Sequence, residues 1–558
     1  MNHVEGSRRP GEFREKLLFL FFLFIVTATW CHAATHSKQL PMVPIWQRFE
    51  QAFKSKVSYT NALQDVALSV TFTSPAGETT KIDGFWDGEK TWRVRFAPDQ
   101  PGKWNYQTIC SDAANTNLHN QTGEFLCTAA VADSRFHQHG PVRVAGDYRH
   151  LEHADGTPFF WLADTVWNGP QRAEPRDWAA YVGARTLQKF TVAQWVAAPG
   201  VDAKKQTAFT GRARIAVNPG FFQRLDDKLD ALDRAGILSA MVPLRDYDSS
   251  ATNKIQALPE DQAARLLRYQ LARWGANNVV WLLMCEGNAL GGNVARWKRI
   301  GRAIFGEGHH PPVLLFPGET DWVLSEFRGE TWVDIFGYQS AQEINDDTLK
   351  WSVAGPLVNE WRQEPFRPLI NVAPPYENEL ATPSAERTST ESVRRALYWS
   401  LLNAPTTGVS YGGHGVRDWS DATDPKNKSS TRKLPLWHKS LFMPAANQLA
   451  TLSDLFNSID FWMLRPAPEL VVNQPGEKEP RRFIAAARTE SKDVTIVYVP
   501  EDRTVELRLD ALPGLPTIVW INPRTGERSP AVAVAGPQSF QFPTPNLGDW
   551  LLVIKAGK

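Results

Sequence analysis

NNVVWLLMCEGN, residues 277–288, decides the fold. Its central side chains, VVWLLM at 279–284, are all apolar, with no alternation of polar and apolar positions. A strand with one face in water alternates. A strand covered on both faces does not, and such runs belong to parallel sheets wrapped by helices. Where the run stops, Cys285, Glu286, Gly287 and Asn288 follow, so a carboxylate and an amide stand at its end. Similar runs recur upstream at FFWLAD (159–164), TVAQWVA (191–197) and ILSAMVPL (237–244). Downstream come PVLLFP (312–317), VDIFGYQ (333–339), PLINVA (368–373) and GVSYGG (408–413). Helix-like stretches separate them. In FFQRLDDKLDALDRAG (221–236), Leu225, Leu229 and Leu232 recur at helical spacing and Gly236 marks the stop. Eight such strands alternating with helices predict a closed (β/α)8 TIM barrel over 140–465. An open doubly wound sheet is the alternative, but no glycine-rich phosphate loop follows the first run.

The flanks read differently. Over 41–130, short runs such as ALSVTF, TWRVRF and KWNYQT are broken by SPAG and PDQPG, the rhythm of an antiparallel β-sandwich. After Pro466, RRFIAAAR, DVTIVYVP, VELRLD, TIVWINPRTG and DWLLVIKAG predict a second sandwich over 468–558. The fold class expected is therefore multidomain, a TIM barrel flanked by N-terminal and C-terminal antiparallel β-sandwiches. At the N-terminus, Arg8, Arg9, Arg14 and Lys16 precede LLFLFFLFIVTAT (17–29), and a small-residue exit follows. This reads as a secretory signal peptide over 1–33, and as a secreted or periplasmic protein; an uncleaved N-terminal membrane anchor is the alternative. No later stretch is apolar enough for an integral membrane domain. Export would permit oxidation, and Cys110 and Cys127, each ending a strand-like run, are expected to form a disulfide; two unpaired core thiols are the other reading.

With 61 basic and 60 acidic side chains the chain lacks the basic excess typical of a nucleic-acid partner. No CxxC, HExxH or clustered ligand spacing appears, so neither a metal nor a cofactor is expected. The 22 Trp lean toward carbohydrate, because a flat apolar ring suits the C–H face of a sugar.

A barrel of this kind gathers its active site at the C-terminal ends of its strands. Those ends carry Asp164 with Trp167 beyond it, Gln194 and Trp195, Arg245, Glu286 and Asn288, Tyr338, Tyr376 and Glu377, then Tyr411 and His414. Carboxylates, amides and aromatic rings are what a sugar site requires. Glycoside hydrolysis needs two carboxyl groups, one to protonate the leaving oxygen and one to attack or to activate water. Glu286 is the expected acid/base, although a helix cap or a pair with Arg245 would also place a carboxylate there. Glu377, three βα units further on, is the expected partner, with Glu360, Glu364 and Glu379 nearby.

FFWLADTVWNG (159–169), NNVVWLLMCEGN, RPLINVAPPYENE (367–379) and RRALYWSLLNAPTTGVSYGGHGVRDW (394–419) resemble the apiosidase-like glycoside hydrolases. The N-terminal region resembles the sandwich that precedes such barrels, and the last region resembles a domain named for collagen binding that follows them. The resemblance implies a (β/α)8 enzyme with its acid/base on strand four and its nucleophile on strand seven, so Glu286 takes the acid/base position. Two departures stand out. Met284 and Cys285 replace small glycines, and Ala373 replaces the first Glu of a Glu-Pro-x-Tyr-Glu pattern. The expectation is a secreted glycosidase acting on side chains of plant or microbial polysaccharides. Its course is expected to be retaining, with an apioside as the narrow substrate. The rival is a non-catalytic carbohydrate-binding protein on the same barrel.

Overall fold

The computed structural model describes residues 40–557, except 246–256, 285–291, 309, 321, 381–385, 423–433, 502, 510–515, 533 and 536–538. Glu286, Asn288 and the expected 1–33 leader lie outside the described residues. Among those described, no helix is long and apolar enough to cross a membrane.

Eight parallel strands close into a barrel: β1 (Trp161–Thr165), β2 (Val192–Val196), β3 (Leu238–Val242), β4 (Val279–Met284), β5 (Val313–Phe316), β6 (Ile335–Tyr338), β7 (Leu369–Asn371) and β8 (Gly408–Gly412). The ladder closes where Trp161–Thr165 pairs with Gly408–Gly412. Seven of the strands lie inside their apolar runs and β1 passes the end of its run by one residue, Thr165, because both faces of each strand are covered. One set of side chains fills the lumen, among them Trp161, Ala163, Val192, Leu238, Val280, Leu282 and Leu314. The other set, including Ala193, Trp195, Met241, Trp281 and Leu283, packs outward against the helices. A small three-stranded sheet, Val142–Val144 with Leu151–His153 and Pro158–Phe159, carries Val142, Leu151 and Phe159 into the lumen cluster just before β1.

The N-terminal sandwich pairs a five-stranded sheet with a three-stranded one, and the C-terminal sandwich a six-stranded sheet with a three-stranded one. All their strand pairs are antiparallel except Met42–Pro44 with Thr122–Thr128. The expected disulfide is absent. Cys110 and Cys127 are both free and buried. In the hairpin, Cys127 pairs with Gly102, at the other end of the strand Gly102–Cys110. Eight residues of extended chain separate the two thiols by about 27 Å, and a disulfide needs Cα atoms within about 7 Å.

Both sandwiches are joined to the barrel through buried contacts. Helix α1 (Pro219–Arg234) supplies Asp226, and helix α2 (Glu260–Trp274) supplies Arg273 and Trp274. Asp226 accepts hydrogen bonds from Arg273 (2.7 and 2.9 Å), from the Trp274 indole (2.7 Å) and from Arg95 of the N-terminal sandwich (2.7 Å). Helix α3 (Thr390–Leu402) carries Arg394, which forks onto both oxygens of Asp549 in the C-terminal sandwich at 2.6 and 2.7 Å.

Candidate active site

The rim of the barrel at its strand C-termini separates the expected site residues into three groups. The first group faces the wrong way. Asp164 points out of the barrel, where its Oδ2 accepts from Tyr181 (2.8 Å) and from Arg185 (2.8 Å). Trp195 and Tyr338 belong to the layer between strands and helices, and the Trp195 indole donates to Ser239 at 2.6 Å. Tyr411 also points outward, against Phe190 and Ala445. Along a strand every second side chain changes face, and these four stand one position out of register with the lumen.

Glu377 belongs with them. The chain beyond β7 rejoins the barrel by pairing Glu377 with Gly413, and the Glu377 side chain turns outward. There its Oε1 accepts from the Thr390 hydroxyl (2.7 Å) and the Ala445 amide (3.0 Å), while Oε2 accepts from Tyr411 (2.7 Å). Ala445 lies in the first turn of helix α4 (Pro444–Asn457), so the carboxylate satisfies one of the orphan amides of a helix N-terminus. Both oxygens are engaged and the side chain is buried, with its residue only 2% exposed. Glu377 is therefore a structural tie and is not placed to attack a sugar. Glu360 is likewise held outside the barrel, by Arg328 and by the Trp322 indole at 3.1 Å.

The second group lies in the lumen but is sealed. Gln194 accepts from Ser410 (2.7 Å) and donates to the Val372 carbonyl (2.9 Å) and to Thr165 (3.2 Å). The Trp161 indole joins this layer through Ser410 at 3.3 Å. With its polar atoms all engaged and none of it exposed, Gln194 forms the floor of the mouth.

The third group is at the mouth itself. Trp167 stands edge-on to Phe316, with ring centroids 5.7 Å apart. Tyr376 joins the lumen cluster and lies over Gly412, where an added Cβ would come within 2.0 Å of the Tyr376 ring. Ala373 packs in the same cluster. The Arg245 amide is held by the Ala198 carbonyl at 2.7 Å, just past β3. His414 donates from Nδ1 to the Asn378 carbonyl at 3.1 Å.

Three further residues complete this rim, and spacing alone does not reveal them. Gln342 donates to the Pro374 carbonyl (3.0 Å), accepts from the Tyr376 amide (2.9 Å) and is itself held by Glu319 at 2.6 Å. Arg417 lies over the Tyr376 ring at 5.2 Å. Glu379 reaches Arg417 at 3.3 Å and His414 at 3.5 Å. Burial works against the Arg417 charge, but Asp418 and Glu379 outweigh it and hold the guanidinium firmly protonated. Asn378 adopts a left-handed conformation (φ 61°), and the Glu379 amide turns back to the Tyr376 carbonyl. That reversal depends on tertiary context, which explains why Glu379 reads in the sequence as one acid among several. The described residues hold no cluster suited to a metal ion.

The mouth thus offers aromatic faces, hydrogen-bond acceptors and a guanidinium, an arrangement that fits a neutral, hydroxyl-rich ligand. Comparison with known proteins agrees. The model of the apiosidase-like catalytic domain matches residues 146–463. A domain of unknown function matches 42–111, and a domain provisionally described as the collagen-binding domain of a collagenase matches 466–555. A solved structure from Bacteroides vulgatus, named provisionally as a glycoside hydrolase, superposes with a TM-score of 0.69 at 18% identity, covering 93% of this chain and all of that one. A family 5 glycoside hydrolase from the same organism gives 0.63 at 20% identity, covering 75% of this chain and 94% of that one. A search of curated proteins finds no match.

Proposed function

This chain belongs to the apiosidase-like family of glycoside hydrolases, and we propose that it is exported and removes glycosyl side groups from plant or microbial polysaccharides, an apioside being the narrowest substrate. The observation that carries the reading is the mouth of the barrel, where Trp167, Tyr376, His414 and Arg417 offer ring faces and polar groups to a sugar. Glu286 is our general acid. It stands two residues past the end of β4, at the position that the resemblance to the family gives to the acid/base. A carboxyl group there would protonate the departing oxygen as the glycosidic bond breaks.

Ala373 and Glu377 bear on the stereochemical course. Retention requires a carboxylate that attacks the anomeric carbon. Ala373 occupies the lumen beyond β7, and Glu377, on which the expectation of retention rested, is bound on the outer face. We therefore favour inversion, in which water attacks the anomeric carbon, the departing oxygen takes the Glu286 proton, and the proton of the water passes to a second carboxylate that none of the residues assigned above supplies. Hydrolysis of a panel of aryl glycosides and plant oligosaccharides, followed by proton NMR of the first-formed anomer, tests this. An inverted product supports it, and a retained one returns a carboxylate nucleophile to the mechanism. The same alanine also favours a second reading, a barrel that binds glycans without cleaving them. Saturable binding without turnover across the panel would establish it.

A further inference from the structure

We propose that His414 and Glu379 form a subsite that reads sugar hydroxyls, with His414 Nε2 and Glu379 Oε2 as acceptors and Arg417 as a donor. This deepens the glycosidase reading and rests on it. Position 414 lies two residues past the end of β8. Gly412 faces the lumen under Tyr376, whereas a Cβ on Gly413 would meet Met443 and the Tyr411 hydroxyl on the outer side. His414 follows in the turn beyond it, where its amide is tied to the Glu377 carbonyl at 3.0 Å and Glu379, the neighbour of Arg417, lies 3.5 Å from its Nδ1. The residue is 6% exposed. Its Nδ1 faces the Asn378 carbonyl, which can only accept, so Nδ1 carries the proton and Nε2 presents a lone pair in the neutral ring. That Nε2 is buried and has no hydrogen-bond partner. Glu379 Oε2 is in the same condition. It lies within ion-pair distance of Arg417 and His414, yet it accepts no well-aligned hydrogen bond.

A buried acceptor without a donor costs free energy, and the great majority of such atoms in folded proteins are satisfied. Two at one rim, beside an aromatic ring in the lumen and a guanidinium, call for a ligand rich in O–H donors. A sugar supplies adjacent hydroxyls that donate to Nε2 and Oε2. An oxygen of the same sugar can accept from Arg417, while its ring face lies on Tyr376.

Saturation-transfer NMR with free D-apiose, D-xylose, L-arabinose, L-rhamnose and D-galactose tests the subsite directly. Two His414 variants separate the two ring nitrogens. In His414→Asn the side-chain amide takes the place of Nδ1, keeps the bond to the Asn378 carbonyl and removes the Nε2 acceptor. In His414→Gln the amide extends to the Nε2 position. The expected result is that one or more sugars bind the wild type and bind His414→Asn about five- to tenfold more weakly, with partial recovery in His414→Gln. Glu379→Gln should weaken the same sugar by tenfold or more, because a charged acceptor is lost. In a hydrolysable glycoside of that sugar the loss should appear in KM more than in kcat. Equal binding by wild type and His414→Asn, both folded by thermal melting, overturns the subsite and leaves the glycosidase reading standing. A Glu379→Gln variant with unchanged KM and abolished kcat also overturns it, since Glu379 would then act on the reacting atoms. No binding of any of these sugars by the wild type overturns the subsite, and the hydrolysis panel then decides the parent reading separately.

Discussion

Glu377 and Glu379 stand two residues apart and serve opposite sides of the rim. Glu377 ties Thr390, Tyr411 and the first turn of α4 together, so its loss should be felt in stability first. Glu377→Ala leaves three donors, two of them buried, without an acceptor, and should cost roughly 2–4 kcal/mol. Glu377→Gln keeps an acceptor and should retain most of the wild-type rate while lowering the melting temperature. Loss of all turnover in Glu377→Gln at unchanged stability would restore it as a catalytic residue. The sequence shows that an acid stands at 377 but not which way it points, because regular strand geometry ends at Asn371 and the alternation cannot be carried through the bend. The cysteines show the same limit. Two strand ends look adjacent in the sequence, and hairpin register puts them at opposite ends. Burial, with Asp99 adding to it, raises the Cys127 thiol to about 11 and makes it a poor nucleophile. Both thiols should therefore resist alkylation in the native protein and react fully once it is denatured. Alkylation that remains incomplete until a reductant is added would show a disulfide instead.

At the scale of elements, the strands were legible because continuous apolar runs have one physical explanation, cover on both faces, and the eight lie within their runs apart from one residue of β1. What joins the elements was not legible, since the partners are far apart in the chain. Asp226 is the clearest case. Burial opposes its charge, but Arg273 and Arg95 outweigh burial and hold its pKa below the ordinary carboxylate value. A group whose folded pKa is depressed adds stability that is complete above its unfolded pKa, near 4, and is lost as pH falls through the lower folded value. Below about pH 4 the contact between N-terminal sandwich and barrel should therefore weaken. Asp226→Asn should be less stable by roughly 3 kcal/mol at pH 7, and its stability should fall less steeply with acid than that of the wild type. Parallel acid-unfolding curves for the two proteins would contradict this.

For the whole molecule, composition and pattern read as a barrel between two sandwiches, without showing which side chains join them. The structure joins the last two. Leu397, Tyr398 and Trp399 of α3 and Leu449 and Leu452 of α4 share one hydrophobic cluster with Ala485, Ile496, Tyr498 and Leu551 of the C-terminal sandwich. Tyr398 stacks on Tyr498 with centroids 4.9 Å apart, and the Trp399 indole donates to the Phe483 carbonyl at 3.0 Å. A chain ending at residue 466 should expose this surface and aggregate, and the intact protein should melt the two domains in a single transition. A soluble, folded barrel lacking 467–558 would refute the shared core. Helix α3 also carries Thr390 against Glu377 at its start and Arg394 against Asp549 within it. One helix therefore answers both to the rim and to the sandwich, and the consequence concerns inheritance. Recombination that exchanges the C-terminal sandwich between relatives cannot cut at the linker alone. A working chimera must take its crossover before residue 390, so that α3, β8 and α4 travel with the sandwich they were selected to fit.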